Sequence, residues 1–362
     1  MPKIISVGTF DPPHVLDQSA ASTIVRERFS TGFANIERMM SVFDNSQITK
    51  RHFSVPLDWF LTNHSLQERN DLYIKLATDF GIEAVQACLQ SEQFLQQPVA
   101  EKEIDAIFFM STTGMATPSI EARIMNRLPF SPHTKRIPVW GLGCAGGAGG
   151  IARANEYCTA FPKAKVLVIA LELCSLTFQH DDFSKSNLVG AALFADGVAC
   201  VLVVGDEVNH RAMSKQLTSP RVRAHQTTLL PDSERVMGWD IKDRGLYVIF
   251  SRDIPDVIRG WLKQNVEEFL SQQNLEGRPI PHFIAHPGGR KVLEAYQDAL
   301  GLSEDDTAVA REVLRTHGNM SSPSILYVLK EFMQKAIPAN DLGLMTSLGP
   351  GFSSELLLVE WQ

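Results

Sequence analysis

Six glycines fall within the ten residues Gly141-Leu-Gly-Cys-Ala-Gly-Gly-Ala-Gly-Gly150, and one reactive side chain, the thiol of Cys144, stands among them. Backbone this flexible is costly to order, so its retention points to a need. An apolar run over 137–140 precedes the loop and a helix-like segment over 147–161 follows it. A cysteine at the head of a helix meets unpaired N–H groups and the positive end of the helix dipole, which favour the nucleophilic thiolate. The glycines let a bulky acyl thioester reach the sulfur and leave backbone donors for an oxyanion. An inert cysteine in a tight turn is the plainer alternative. Gly141-x-Gly143-x-x-Gly146 also matches the dinucleotide fingerprint. The match is weak, because no acidic strand-end residue stands about 20 residues on and the stretch lies mid-chain.

A thiolate near neutral pH needs a base, and ten histidines are available. His286, in Ala285-His-Pro-Gly-Gly289, closes a strand-like run and precedes a helix-like one. That places an imidazole at the carboxyl end of a strand, where α/β sites form. Asn319, in Arg315-Thr-His-Gly-Asn-Met-Ser-Ser-Pro323, could donate its amide to a developing oxyanion without titrating. His317, two residues away, is a rival base, and a cap or turn role is the plainer reading of Asn319.

The elements that must position these groups alternate between short apolar runs and amphipathic stretches, the pattern of an α/β protein. Strands are expected over 104–110, 137–140, 166–171 and 199–204, apolar on both faces as strands buried under helices are. Helices are expected over 71–91, 119–128 and 147–161. A polar junction over 205–219 separates a second half. There the pattern predicts helices over 254–273, 290–299 and 322–336, a strand over 282–285, and a closing strand pair over 342–348 and 355–361. The strand, Gly-rich turn and helix around Cys144 echo those around His286, which suggests two related halves, 1–213 and 214–362, facing one site.

Cys144 in its glycine loop, His286 in HPGG, Asn319 in HGNMSSPS and the closing Leu348-Gly-Pro-Gly-Phe352 together resemble the type III polyketide synthases, the chalcone and stilbene synthase family of the thiolase superfamily. The resemblance spans nearly the whole chain. Ser111-Thr-Thr-Gly-Met-Ala-Thr-Pro-Ser119 and Glu172-Leu-Cys-Ser175 resemble bacterial members that make alkylpyrones or alkylresorcinols. The resemblance implies a thiolase-like fold of two pseudo-duplicated halves in αβαβα layers. It implies Cys144 as the nucleophile that takes a starter acyl group from coenzyme A, with His286 maintaining the thiolate and joining Asn319 in stabilising the malonyl-derived enolate. Phe194 falls where the family keeps a gatekeeping phenylalanine. Thr113 and Cys174 are small where the family lines its pocket, implying a long fatty acyl starter. Trp239 implies a short passage and few extensions. Thr117 takes a position that often reaches a partner subunit, and a homodimer is implied. Lys50 and Arg51 resemble the basic residues that meet the phosphates of coenzyme A.

With 44% apolar and 21% charged residues the chain can bury a large core, which excludes a disordered tail or disulfide mini-scaffold. A net charge of −7 argues against nucleic acid or anionic lipid as a partner. The longest apolar run, over 166–178, is interrupted by Glu172 and falls short of the about 18 residues a span requires. The N-terminus has no secretory layout, which predicts a cytoplasmic protein. Five cysteines without a C-x-x-C pair disfavour disulfides and structural zinc. Decarboxylative condensation requires no metal and no resident cofactor beyond its coenzyme A thioester substrates. A ketoacyl-ACP synthase, a cysteine hydrolase and a non-catalytic scaffold are the alternatives.

Overall fold

A computed structural model describes residues 1–30 and 36–362. Thirteen strands follow one another among the described residues: β1 (Lys3–Phe10), β2 (His14–Asp17), β3 (Lys50–Phe53), β4 (Ala106–Met110), β5 (Lys135–Val139), β6 (Lys165–Leu173), β7 (Asp196–Val204), β8 (Pro220–Leu229), β9 (Met237–Lys242), β10 (Gly245–Phe250), β11 (His282–Ala285), β12 (Leu342–Gly349) and β13 (Ser353–Trp361). Nine of them form one mixed sheet in the order β11-β12-β13-β8-β1-β7-β6-β4-β5. Strands β2 and β3 pair antiparallel in a separate two-stranded sheet, and β9 and β10 form a hairpin.

The sheet has two halves that meet where β1 touches β8 at a single registered pair, Lys3 opposite Arg221. In the first half β4 runs parallel to β5 and β6, and β7 and β1 follow antiparallel. The second repeats the plan, with β11 parallel to β12 and then β13 and β8 antiparallel. Two helices, Gly146–Ala160 and Ser324–Met333, pack against each other and touch strands of both halves. They form the central layer. Helix Leu66–Leu89 covers β1, β6 and β7 from outside. On the far side the Ile254–Gln272 helix lies over β8 and β13, where Asn265 exchanges hydrogen bonds with Gln226, Thr228 and Ser354. Five layers result, alternating helix and sheet, as the family resemblance implied.

This topology rearranges the expected internal echo. The counterpart of the helix that follows Cys144 is Ser324–Met333, its partner in the central layer. His286 follows β11, which joins β12 as β4 joins β6, so its counterpart lies at the end of β4. Apolar central strands appear where expected. Strand β8 (Pro-Arg-Val-Arg-Ala-His-Gln-Thr-Thr-Leu) was not expected, because its polar residues disguise a strand that forms a full ladder with β13. Helix Leu66–Leu89 starts five residues before its expected position, at a capping box in which Ser65 and Glu68 satisfy each other's backbone N–H. No described helix is long and apolar enough to cross a membrane.

Candidate active site

Strand β5 ends in a turn at Gly143–Ala145 that leads directly into the Gly146–Ala160 helix, so Cys144 stands at the head of the central layer. Gly143 takes a φ of +49°, a left-handed conformation that glycine adopts most cheaply. A Cβ on Gly147 would lie 2.3 Å from the Ser322 carbonyl oxygen, so only glycine lets the two central helices approach this closely. That approach brings the thiol to the loop of the other half. The Cys144 thiol donates to Ser321 Oγ at 3.6 Å.

Asn319 is 1% exposed and fixed from several sides. Its amide donates to the Gly288 carbonyl at 3.0 Å, in the loop that begins with His286, and its Oδ1 accepts the Ser321 N–H at 2.8 Å. Its main chain exchanges hydrogen bonds with Leu193 and Ala195 around Phe194. His286 is buried, anchored by its N–H to the Thr346 carbonyl, and neither ring nitrogen has a hydrogen-bond partner among the described residues. Cys144 and Asn319 are thus brought together, and Asn319 is tied to the His286 loop.

Burial and hydrogen bonding pull the charges of the site in opposite directions. Burial pushes the Cys144 thiol up to about 12, outweighing hydrogen bonds from Ser321 and Asn319 that favour the thiolate. Burial alone pulls the His286 imidazole down to about 3. Burial thus favours the neutral thiol and the neutral imidazole, each charge losing more solvation than the helix terminus restores. Beside them lies Glu172, fully buried and pushed up to about 7 by desolvation despite accepting from Thr112 N–H, Thr113 Oγ1 and Ser322 Oγ. Its charge further disfavours the thiolate. Glu172 and the two serines stood inside the quoted motifs without an expected role; their burial was the missing signal.

A pocket adjoins this cluster through Phe194, whose main chain pairs with Asn319, and through Cys174; Cys144, His286 and Asn319 are not among its lining residues. Leu16, Val25, Phe53, Phe60 and Phe178 furnish apolar wall, and Cys174, Phe194 and Trp239 line it too. Burial raises the Cys174 thiol, and charge on Glu172, Asp196 and Cys144 raises it further. The rings of Phe194 and Trp239 lie 6.0 Å apart, and Phe250 sits edge-on to Phe194 at 6.2 Å. A separate groove is lined by Leu193 and Phe250, reaches Gly288 and Gly289, and carries Lys185, Arg252, Arg290 and Lys291.

Several expected site residues stand elsewhere. Arg51, expected beside Lys50 at a phosphate-binding surface, is 1% exposed and lines the cavity, its Nη1 donating to the carbonyls of Ala191 and Phe194 at 2.7 Å each. Neighbouring residues of a strand face opposite ways, so β3 turns Lys50 to solvent and Arg51 inward. Thr113 does not line the main cavity: its hydroxyl donates to Glu172 and accepts from Leu173 N–H, and it borders a separate recess of about 280 Å³. Thr117 is exposed. His317 pairs with Asp11 at 3.6 Å and stacks on His52, away from the thiol's hydrogen-bonded neighbours. The four groove cations were missed, although Arg290 and Lys291 directly follow HPGG.

Comparisons with known proteins identify the family. Residues 2–207 match the N-terminal domain of the chalcone and stilbene synthases and residues 221–361 match their C-terminal domain. A protein of Bacillus subtilis (strain 168), provisionally named a chalcone synthase, is 49% identical over 99% of this chain and 98% of its own. The 1,3,6,8-tetrahydroxynaphthalene synthase of Streptomyces peucetius subsp. caesius is 32% identical over 99% of this chain and 93% of its own. The crystal structure of the corresponding Streptomyces coelicolor A3(2) enzyme, described as a bacterial type III polyketide synthase, superposes with a TM-score of 0.89 at 25% identity, covering 99% of both chains.

Proposed function

Because the chain belongs to the chalcone and stilbene synthase family and is a type III polyketide synthase, a condensing acyltransferase of thiolase-like fold, we propose that it takes a long-chain fatty acyl group from coenzyme A, extends it with malonyl-CoA and releases an alkylpyrone. The observation that carries the substrate class is the apolar cavity beside Cys174 and Phe194. An alkyl chain buried there gains roughly 0.8 kcal/mol per methylene, which an aromatic starter of a few carbons cannot match. Trp239 narrows the cavity next to Phe194 and keeps extensions few. In the basic groove, Lys185, Arg252, Arg290 and Lys291 would meet the phosphates of coenzyme A, with Lys50 a more distant contributor.

The steps follow from the neutral resting pair. Sulfur of Cys144 attacks the thioester carbonyl as its proton passes to His286, and the coenzyme A thiolate leaves, taking a proton. Malonyl-CoA then loses CO₂ in the water-poor pocket, and the electron pair of the broken C–C bond forms an enolate held by His286 and the Asn319 amide. The enolate carbon attacks the acyl-Cys144 carbonyl; the new C–C bond forms as the C–S bond breaks. The sequence halves 1–213 and 214–362 would each bring part of the machinery, Cys144 from one and His286 with Asn319 from the other, in a homodimer. The test is incubation with fatty acyl-CoAs of graded length and labelled malonyl-CoA, read by product mass and by intact-protein mass, with Cys144→Ala as control. An acyl adduct on wild type alone, followed by CO₂ and an alkylpyrone, is expected. Condensation confined to short aromatic starters overturns the substrate class; thioester hydrolysis without CO₂ overturns the reaction.

A further inference from the structure

We propose that Asp11, His52 and His317 form a binding site for a divalent transition-metal ion, with Zn²⁺ the best match to its donors. One nitrogen from each ring and one carboxylate oxygen lie within 4.8 Å of one another. His317 offers Nε2, 3.6 Å from Asp11 Oδ1. Zinc bonds of about 2.0–2.2 Å set tetrahedral ligand atoms about 3.3 Å apart, a distance that small side-chain rotations reach from here. Two imidazoles and one carboxylate leave the fourth position to water.

The surroundings supply a second, independent argument. Imidazoles that hold a metal engage their remaining nitrogen with an oxygen, and liganding carboxylates are themselves hydrogen-bonded. Here His52 Nδ1 lies 3.1 Å from the Pro12 carbonyl, and His317 Nδ1 lies 2.8 Å from Thr316 Oγ1. Tyr327 donates to Asp11 Oδ1 at 2.9 Å. All three ligands therefore already carry the outer contacts that fix ring orientation. Their stacked rings, 5.6 Å between centroids and 21° apart, come from separate elements: Asp11 follows β1, His52 lies on β3, and His317 ends the Ala308–His317 helix. An ion there ties all three together, two residues before Asn319 and one after Arg51. The proposal stands apart from the polyketide reading and survives its failure.

The test uses the intact chain, stripped with chelator and titrated with ZnCl₂ by calorimetry and with CoCl₂ by visible absorption. One ion per chain is expected, with four-coordinate cobalt bands and a raised melting temperature. Binding should weaken at least tenfold in His52→Ala, His317→Ala and Asp11→Asn. Melting of each variant without metal separates lost binding from lost folding, and the milder His317→Gln serves if the alanine variant fails to fold. All five cysteines are buried, so thiolate-to-cobalt charge-transfer bands would place the ion elsewhere and overturn the proposal. Absence of stoichiometric binding, or binding unchanged in folded variants, overturns it equally.

Discussion

At the scale of single residues, the same burial disfavours the anion of Cys144 and the cation of His286. Iodoacetamide should therefore alkylate Cys144 slowly at pH 7 and faster as pH rises beyond 9; a rate that plateaus below pH 7 would instead reveal a resting thiolate–imidazolium pair. Glu172→Gln keeps the shape and can still accept from Thr112 and Thr113 while donating to Ser322. It removes the charge that opposes the thiolate, so alkylation at pH 8 should quicken, by up to about tenfold for one unit of thiol pKa. The same substitution changes stability with a definite sign. Unfolded, this carboxyl releases its proton near 4.5; folded, it holds it to about 7. The native state binds more protons across that window, so wild type loses stability as pH rises through it. Urea unfolding at pH 5 and pH 8 should show the glutamine variant gaining roughly 3 kcal/mol relative to wild type at the higher pH. An unchanged difference would mean that Glu172 titrates normally.

Elements fail in more local ways. Gly147→Ala places a methyl against the Ser322 carbonyl and 2.7 Å from Ile325 Cγ2, which forces the two central helices apart. A loss of at least about 2 kcal/mol together with loss of condensation is expected, read by urea unfolding and product formation. Gly260, exposed in the Ile254–Gln272 helix with open space around it, is the counter-case: Gly260→Ala should stabilise by about 0.5–1 kcal/mol. Arg51→Met fills similar volume yet strands the carbonyls of Ala191 and Phe194; about 2–4 kcal/mol should be lost. These elements also show what sequence can carry. Strands such as β4 and β7, buried on both faces, announce themselves through uninterrupted apolar residues. Helix starts and strand facing need more: the Ser65–Glu68 box and the alternation of Lys50 with Arg51 were visible, but only as patterns of single residues. The groove cations come from separate segments, and nothing in linear order joins Lys185 to Arg290.

For the molecule as a whole, the chemistry sits where the two halves meet. Cys144 reaches Ser321, Glu172 accepts from Ser322, and Gly147 faces the same loop, all across the central layer. The cysteine, histidine and asparagine motifs were legible one by one, whereas the approach of the Cys144 turn to the Asn319 loop depends on a sheet order that joins β1 to β8 and on a pairing of central helices that sequence similarity between halves does not reveal. Separating the chain near residue 213 would expose that interface on both pieces. Each half expressed alone should lack a cooperative unfolding transition, and the intact chain should unfold with coincident far-ultraviolet and tryptophan-fluorescence curves; a stable isolated half would show that the layers are independent. Phe194 concentrates the consequence. Its N–H binds Gly190, its carbonyl accepts from Arg51, and its main chain runs beside Asn319. With the peptide riveted on three sides, only the ring is adjustable, so swapping this one side chain reshapes the pocket wall it shares with Trp239 and leaves the frame around it untouched.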